Sequence, residues 1–127
     1  MIYLTPEQVL FIHARLIDET GGRHGILDLG LLESAVERPK ATFEGKELYP
    51  GLFTKAAAIL DSIVNNHPFL DGNKPTGIAS AVIFIRENGG NLTAGNDELE
   101  SFTLQVVTDH PGLVSIAAWL EMHTTFE

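Results

Sequence analysis

Two stretches of this sequence are apolar on nearly every face when wound as helices, and the eight residues His67–Lys74 lie between them. In the first stretch Phe53, Ala56, Ala57, Leu60 and Val64 share one face, while Ala58, Ile59 and Ile63 fill the others. The second, about Thr76 to Glu87, carries Ile78, Ala79, Ala81, Val82, Ile83, Phe84 and Ile85. A helix with no polar face belongs in the middle of a fold. The valines and isoleucines of the second stretch would also suit a strand, but its length and its alanines favour a helix. Two such helices joined by a short bend predict a buried hairpin around which the rest must pack.

The remaining sequence supplies the packing partners. Thr5-Pro6-Glu7-Gln8 reads as a helix start, with Thr5 as N-cap, Pro6 at the first helical position and Gln8 completing a capping box. Val9, Ile12, His13 and Leu16 follow at helical spacing until Gly21-Gly22 ends the run. Asp28 caps a shorter helix through Leu31, Leu32, Ala35 and Val36, stopped before Pro39. Pro50 opens the first apolar helix, and Asn88-Gly89-Gly90 terminates the second. Asn96-Asp97-Glu98 caps a fifth helix with Leu99, Phe102 and Val106. Ser115 caps a sixth with Ile116, Trp119, Leu120 and His123. Ala41–Pro50 breaks the pattern, because Phe43, Gly45 and Tyr49 stand among charges with no helical period. The expectation is an all-α fold: a compact bundle of about six helices with a short irregular or β-hairpin segment, residues 1–127 forming one domain.

Composition narrows the function. With 127 residues, 44% hydrophobic and 20% charged, the chain can build one core and is not disordered. It has no cysteine, which excludes disulfides and thiolate zinc sites and fits a reducing cytoplasm. Met1–Pro6 lacks the basic and apolar regions of a signal peptide, and no apolar run is long enough for a bilayer, so no membrane role is expected. A net charge of −9 argues against direct nucleic-acid binding, which needs clustered cations. The acidity would suit a basic protein partner, but a solubilising surface explains it as well.

The chemistry concentrates in His67-Pro68-Phe69-Leu70-Asp71-Gly72-Asn73-Lys74. A neutral imidazole at the end of a buried helix, His67 is a base in a fixed place. Asp71 is a hard oxygen ligand of the kind magnesium uses beside nucleotide phosphates. Gly72 allows close backbone approach, and the amides of Gly72 to Lys74 would point out of a helix N-terminus, a natural anion site. Asn73 adds an amide donor and Lys74 a positive charge, while Phe69 pins the loop to the core. Taken singly these signals are weak: a His-Pro at a helix end is ordinarily a stop, as at His110-Pro111, and an Asp-Gly is ordinarily a turn. Their conjunction between two apolar helices carries the reading. His13 and His123 fall on apolar faces and read as core or edge histidines, and His24 lies in a loop with no evident partner. Gly72 to Gly77 has half a P-loop's spacing, but Ile78 stands where that motif needs lysine.

The segment resembles the motif of the Fic/Doc family, H-x-F-x-[DE]-[GA]-N, and specifically its Doc (death-on-curing) branch, which continues with Lys-Arg. Gly21-Gly22, Leu31-Leu32-Glu33-Ser34-Ala35, Arg38-Pro39, Tyr49-Pro50 and Asn88-Gly89 extend the likeness over nearly the whole chain. The resemblance implies an all-helical transferase that uses ATP and magnesium to modify a protein hydroxyl. In Fic enzymes the moiety is AMP; in Doc toxins it is the terminal phosphate, placed on a threonine of elongation factor Tu to halt translation. Carried onto this chain, it makes His67 the base, Asp71 the magnesium ligand, and Gly72, Asn73 and Lys74 the phosphate contacts, with Phe69 structural. Ala41–Pro50 becomes the flap, with Phe43, Glu44, Gly45 and Lys46 docking the target chain. Lys74, and Ile78 in place of a second arginine, favour the Doc branch. No [ST]-x-x-x-E-[GN] hexamer of the self-inhibiting kind is present, so the resemblance implies restraint by a separate Phd-like antitoxin.

Position 75 departs from the pattern, with proline where the family has arginine. Proline removes a bidentate cation and a backbone N–H from the phosphate site. Losing one such contact costs about 2–4 kcal/mol in the transition state, or tens to hundreds of times in rate. Proline also turns Lys74 away from helical geometry, which predicts Lys74 as N-cap and Pro75 as first helical residue. The expected function is an attenuated Doc-type phosphate-transferring toxin. The alternatives are an AMP transferase, a catalytically silent antitoxin-binding module and, with little beyond His67 and Asp71 behind it, a helical hydrolase.

Overall fold

Five consecutive residues, Ala56–Leu60, are each at most 1% exposed, so the helix that carries them has no solvent face there. That helix is the third of six in the computed structural model, which describes residues 1–127: α1 (Pro6–Thr20), α2 (Leu29–Glu37), α3 (Leu52–Asn66), α4 (Asn73–Glu87), α5 (Asn96–Asp109) and α6 (Leu113–Met122). Two small antiparallel pairs join them, β1 (Thr42–Phe43) with β2 (Lys46–Glu47), and β3 (Gly90–Leu92) with β4 (Thr124–Phe126). Helices α4 and α6 pack along α3, and α1 and α2 close the fold on other sides. One cluster of 20 buried side chains unites them. Where α3 and α4 pass each other at Gly77, a Cβ would lie 2.5 Å from Val64 Cγ1, so only glycine permits that spacing.

The fold is the expected all-helical one with a short hairpin. Thr5 and Gln8 form their capping box, with Gln8 N–H donating to Thr5 Oγ1 at 3.2 Å and Thr5 N–H to Gln8 Oε1 at 2.8 Å. Asp28 caps α2 by accepting from Leu31 N–H at 3.1 Å. The chain then passes Pro39 in a single 3-10 turn, Arg38–Lys40.

Other starts differ from expectation. Helix α5 is capped by Gly95, one residue early, because Glu98 reaches back to the Gly95 N–H at 3.3 Å. Helix α6 is capped by Gly112, whose carbonyl takes the N–H groups of both Ser115 and Ile116, so Ser115 lies inside the helix. Pro50 precedes α3, but Gly51 is its N-cap. The β3–β4 pair has no counterpart in the sequence reading: three-residue strands from opposite ends of the last two helices leave no alternating pattern to find.

Between β1 and β2 the turn residues Glu44 and Gly45 both take positive φ, 52° and 78°. That is the geometry a two-residue hairpin connection requires. All of residues 42–48 are exposed.

Candidate active site

His67 ends α3 in a left-handed conformation, with φ 53° and ψ 62°. Histidine tolerates that region better than most residues, and Pro68 prevents the helix from continuing. The backbone beyond it is braced by the segment ahead of α2. Pro68 carbonyl accepts from the N–H groups of Leu27 (2.8 Å) and Asp28 (3.0 Å), and Leu70 N–H donates to Gly25 carbonyl at 3.1 Å. Ile26 and Phe69 form an isolated antiparallel bridge. Phe69 is 1% exposed. His13 of α1, itself buried, stacks on its ring and donates from Nε2 to the carbonyl of Asp71.

Asn73 closes the loop from the other side. Its amide accepts from Phe69 N–H at 3.0 Å and donates to Phe69 carbonyl at 2.9 Å, both buried. With its buried side chain turned to Phe69, Asn73 offers a phosphate its backbone N–H. The same pair of bonds moves the helix start. Gly72 (φ 78°) is the N-cap, Asn73 the first helical residue, and Pro75 the third. Lys74 and Pro75 therefore sit two positions deeper than expected. The first N–H groups of a helix have no internal partner, so proline at the third position breaks no helical bond. Thr76 N–H supplies the first one, to Gly72 carbonyl at 3.0 Å. No side chain caps this start. The amides of Asn73 and Lys74 thus point out of a 15-residue helix, and Pro75 leaves a gap beside them.

Asp71 is exposed. Its Oδ2 accepts from Arg23 N–H at 3.0 Å and its Oδ1 from Gly72 N–H at 2.9 Å. Those two backbone bonds, Arg23's first, hold its carboxyl below the ordinary value, aided by the charge of Arg23 and the proximity of His13. Each oxygen keeps acceptor capacity for a cation. No group of three His, Cys, Asp or Glu residues could enclose a metal here.

One turn thus unites His67, Phe69, Asp71, Gly72, Asn73 and Lys74, with the imidazole, the carboxylate and the ammonium all exposed. Phe43, Glu44, Gly45 and Lys46 form a separate exposed unit, the hairpin tip, rooted near the other end of α3. A groove of about 730 Å³ opens beside the α4 start, between α1, α4 and α5, with Leu16, Lys74, Pro75, Ile78 and Leu104 among its walls. Neither His67 nor Asp71 lines it. Of the other histidines, His24 bonds Asp18 at 2.7 Å, so the loop residue has a partner the sequence did not reveal, His123 donates to Trp119 carbonyl at 2.7 Å, and His110 is the left-handed end of α5.

Sequence reasoning missed His13 as a support of the loop, and with it Gly22. A Cβ on Gly22 would meet Asp71 Oδ2 at 2.8 Å. The doubled glycine was the available signal. Gly21 alone makes the left-handed cap of α1, so a second glycine points to a close approach by something else.

Residues 3–85 match the model of the Fic/DOC family. The chain is 45% identical over 102 residues to Toxin Doc of Mycolicibacterium smegmatis, covering 79% of this chain and 78% of that protein. It is 31% identical over 117 residues to Protein kinase doc of Escherichia phage P1, covering 92% of this chain and 91% of that protein.

Proposed function

The chain belongs to the Fic/DOC family, and from that premise we propose that it is the toxin of a toxin–antitoxin pair. It moves the terminal phosphate of ATP to a protein hydroxyl, a threonine of elongation factor Tu, and so blocks translation in the cytoplasm. The observation that carries this reading is the single turn that holds an exposed imidazole, an ionised carboxylate and an uncapped helix start together.

In this reading His67 takes the proton of the acceptor hydroxyl, and its helix-end position fixes where that hydroxyl must lie. The amides of Asn73 and Lys74 and the ammonium of Lys74 hold phosphate oxygens at the positive end of α4. Gly72 keeps the turn free of a side chain. Asp71 fits magnesium as an exposed, charged ligand with acceptor capacity left, the one-carboxylate arrangement that suits an ion arriving with a nucleotide. Bound there, magnesium would neutralise charge on the phosphates.

Lys74, and Ile78 where a second arginine would stand, favour terminal-phosphate transfer over AMP transfer. The phage relative's name, Protein kinase doc, points the same way. The restraining partner is a small Phd-type antitoxin. Its C-terminal segment lies as an amphipathic helix in the groove beside Lys74, with apolar side chains on Ile78, Val82 and Leu104 and acidic ones toward Lys74 and Arg86.

Pro75 attenuates the reaction, and it also supports a second reading, a silent module that only binds the antitoxin. One experiment separates these. ATP labelled at the α or γ position is incubated with lysate and the chain as it stands, its His67→Ala form or its Pro75→Arg form. We expect γ label alone on protein, none with His67→Ala, and a gain of tens to hundreds of times with Pro75→Arg. Transfer of the α label would establish an AMP transferase. No label with any form would leave the silent module.

A further inference from the structure

The hairpin of β1 and β2 has no buried residue, so apolar packing does not fix its direction. Polar contacts at its foot do. Leu48 N–H donates to Ala41 carbonyl at 2.9 Å and closes the base. Lys55, at the start of α3, is 1% exposed, and its ammonium donates to Glu47 Oε1 at 3.0 Å and to the carbonyl of Tyr49. Arg38 donates from Nε to the Tyr49 hydroxyl at 3.0 Å and lies over that ring, 5.0 Å from its centroid. The same guanidinium reaches Asp61 and Ser62 of α3, each at 2.9 Å. Asp61 accepts from Asn65 at 2.8 Å, two residues before His67. Polar contacts therefore tie the hairpin's foot to α3, and through Asp61 they reach Asn65, two residues short of His67.

A buried ammonium is costly to maintain, and an apolar side chain of similar length would pack into α3 at less expense. What Lys55 provides instead is direction: three donors that meet one hairpin carboxylate and one carbonyl. We propose that Lys55, with Arg38, is a positioning residue that locks the hairpin in place relative to His67. It thereby sets how tightly the acceptor polypeptide is held when it lies along the hairpin as an added strand. This rests on the reading of the hairpin as the docking element. The nucleotide contacts lie in the α3–α4 turn, at the far end of α3, so the clamp acts on one substrate and not the other.

The test compares the unaltered chain with Lys55→Met, which keeps the buried stem and removes the charge, and with Glu47→Ala, which changes only an exposed partner. Three quantities are measured: hydrogen exchange of residues 42–48 and 67–74, affinity for purified elongation factor Tu, and affinity for ATP with magnesium. Lys55→Met should speed exchange in the hairpin at least tenfold and weaken elongation factor binding about tenfold. Exchange in the loop and ATP affinity should stay within twofold. Glu47→Ala should move the same quantities in the same direction by less. Unchanged hairpin exchange, equal acceleration of both segments, or a loosened hairpin with unchanged acceptor affinity would each overturn the proposal. If the unaltered chain binds no elongation factor Tu, the docking reading falls and the proposal with it. The exchange data then report separately on whether the clamp holds the hairpin.

Discussion

The imidazole of His13 lies flat on the ring of Phe69, with 3.8 Å between centroids and planes 6° from parallel, while its Nε2 meets the carbonyl of Asp71 at 2.8 Å. A carbonyl only accepts, so Nε2 carries the proton. One side chain of α1 thus supports both the loop's apolar anchor and the backbone of its acid. His13→Phe keeps the stack and loses the bond, and should cost about 1–2 kcal/mol. Phe69→Ala empties a buried site and should cost about 3–5 kcal/mol. Urea unfolding measures both, and equal losses would contradict this division of labour.

Asn73 is the second brace. Asn73→Ala removes two buried bonds to one residue and should cost about 2–4 kcal/mol, counting the stranded Phe69 groups. Asn73→Asp should be at least as damaging, since it sets a carboxylate oxygen against the Phe69 carbonyl that the amide nitrogen now meets at 2.9 Å. A milder effect of aspartate in thermal unfolding would mean that the amide contributes only as an acceptor.

Gly72 and Gly45 share a φ of 78°, but their surroundings differ. A Cβ at Gly72 would lie 2.8 Å from Ile17 Cδ1, whereas none of the surrounding atoms comes within 4 Å at Gly45. Gly45→Ala should cost the left-handed penalty alone, about 1–2 kcal/mol. Gly72→Ala should cost that plus about 1–3 kcal/mol for displacing Ile17. The difference in unfolding midpoints isolates the packing contribution at the α3–α4 turn.

Asp71 titrates below its ordinary value of 3.8 because the Arg23 and Gly72 amides favour the charged form. A lowered folded pKa means that this contribution to stability is fully present above the unfolded pKa. It is lost only as pH falls through the lower, folded one. The Asp71 carboxyl carbon should therefore show its chemical-shift step at more acid pH than an unperturbed aspartate. Gly22→Ala, which crowds Oδ2, should move that step back toward 3.8.

The legible parts of this chain were those written in adjacent residues. The Thr5–Gln8 box, the Asp28 cap and the all-round apolar α3 announce themselves within a few positions, and the break in helical period at Ala41–Pro50 leaves an irregular loop or a hairpin open, of which the structure has the hairpin. What escaped was set by side-chain contacts that residue type and spacing do not announce. Lysine ordinarily reads as surface, and nothing near Lys55 reveals that Glu47 and Tyr49 fold over it. The β3–β4 pair joins residues more than thirty apart through six residues in all. At the α4 start the local signals competed: proline disfavours helix at Lys74, while the Asn73 amide, bonded back to Phe69, sets Asn73 as the first helical residue. The two side-chain bonds prevailed.

His67 closes α3 at a left-handed backbone angle that costs most side chains about 1–2 kcal/mol, histidine less than most, and that glycine adopts without that steric cost. The imidazole is kept there against the preference of its own backbone. Variants chosen only for surviving heat would drift toward glycine at this position, trading the imidazole for robustness. Under the proposed function, toughness in a descendant of this chain would be a mark of harmlessness.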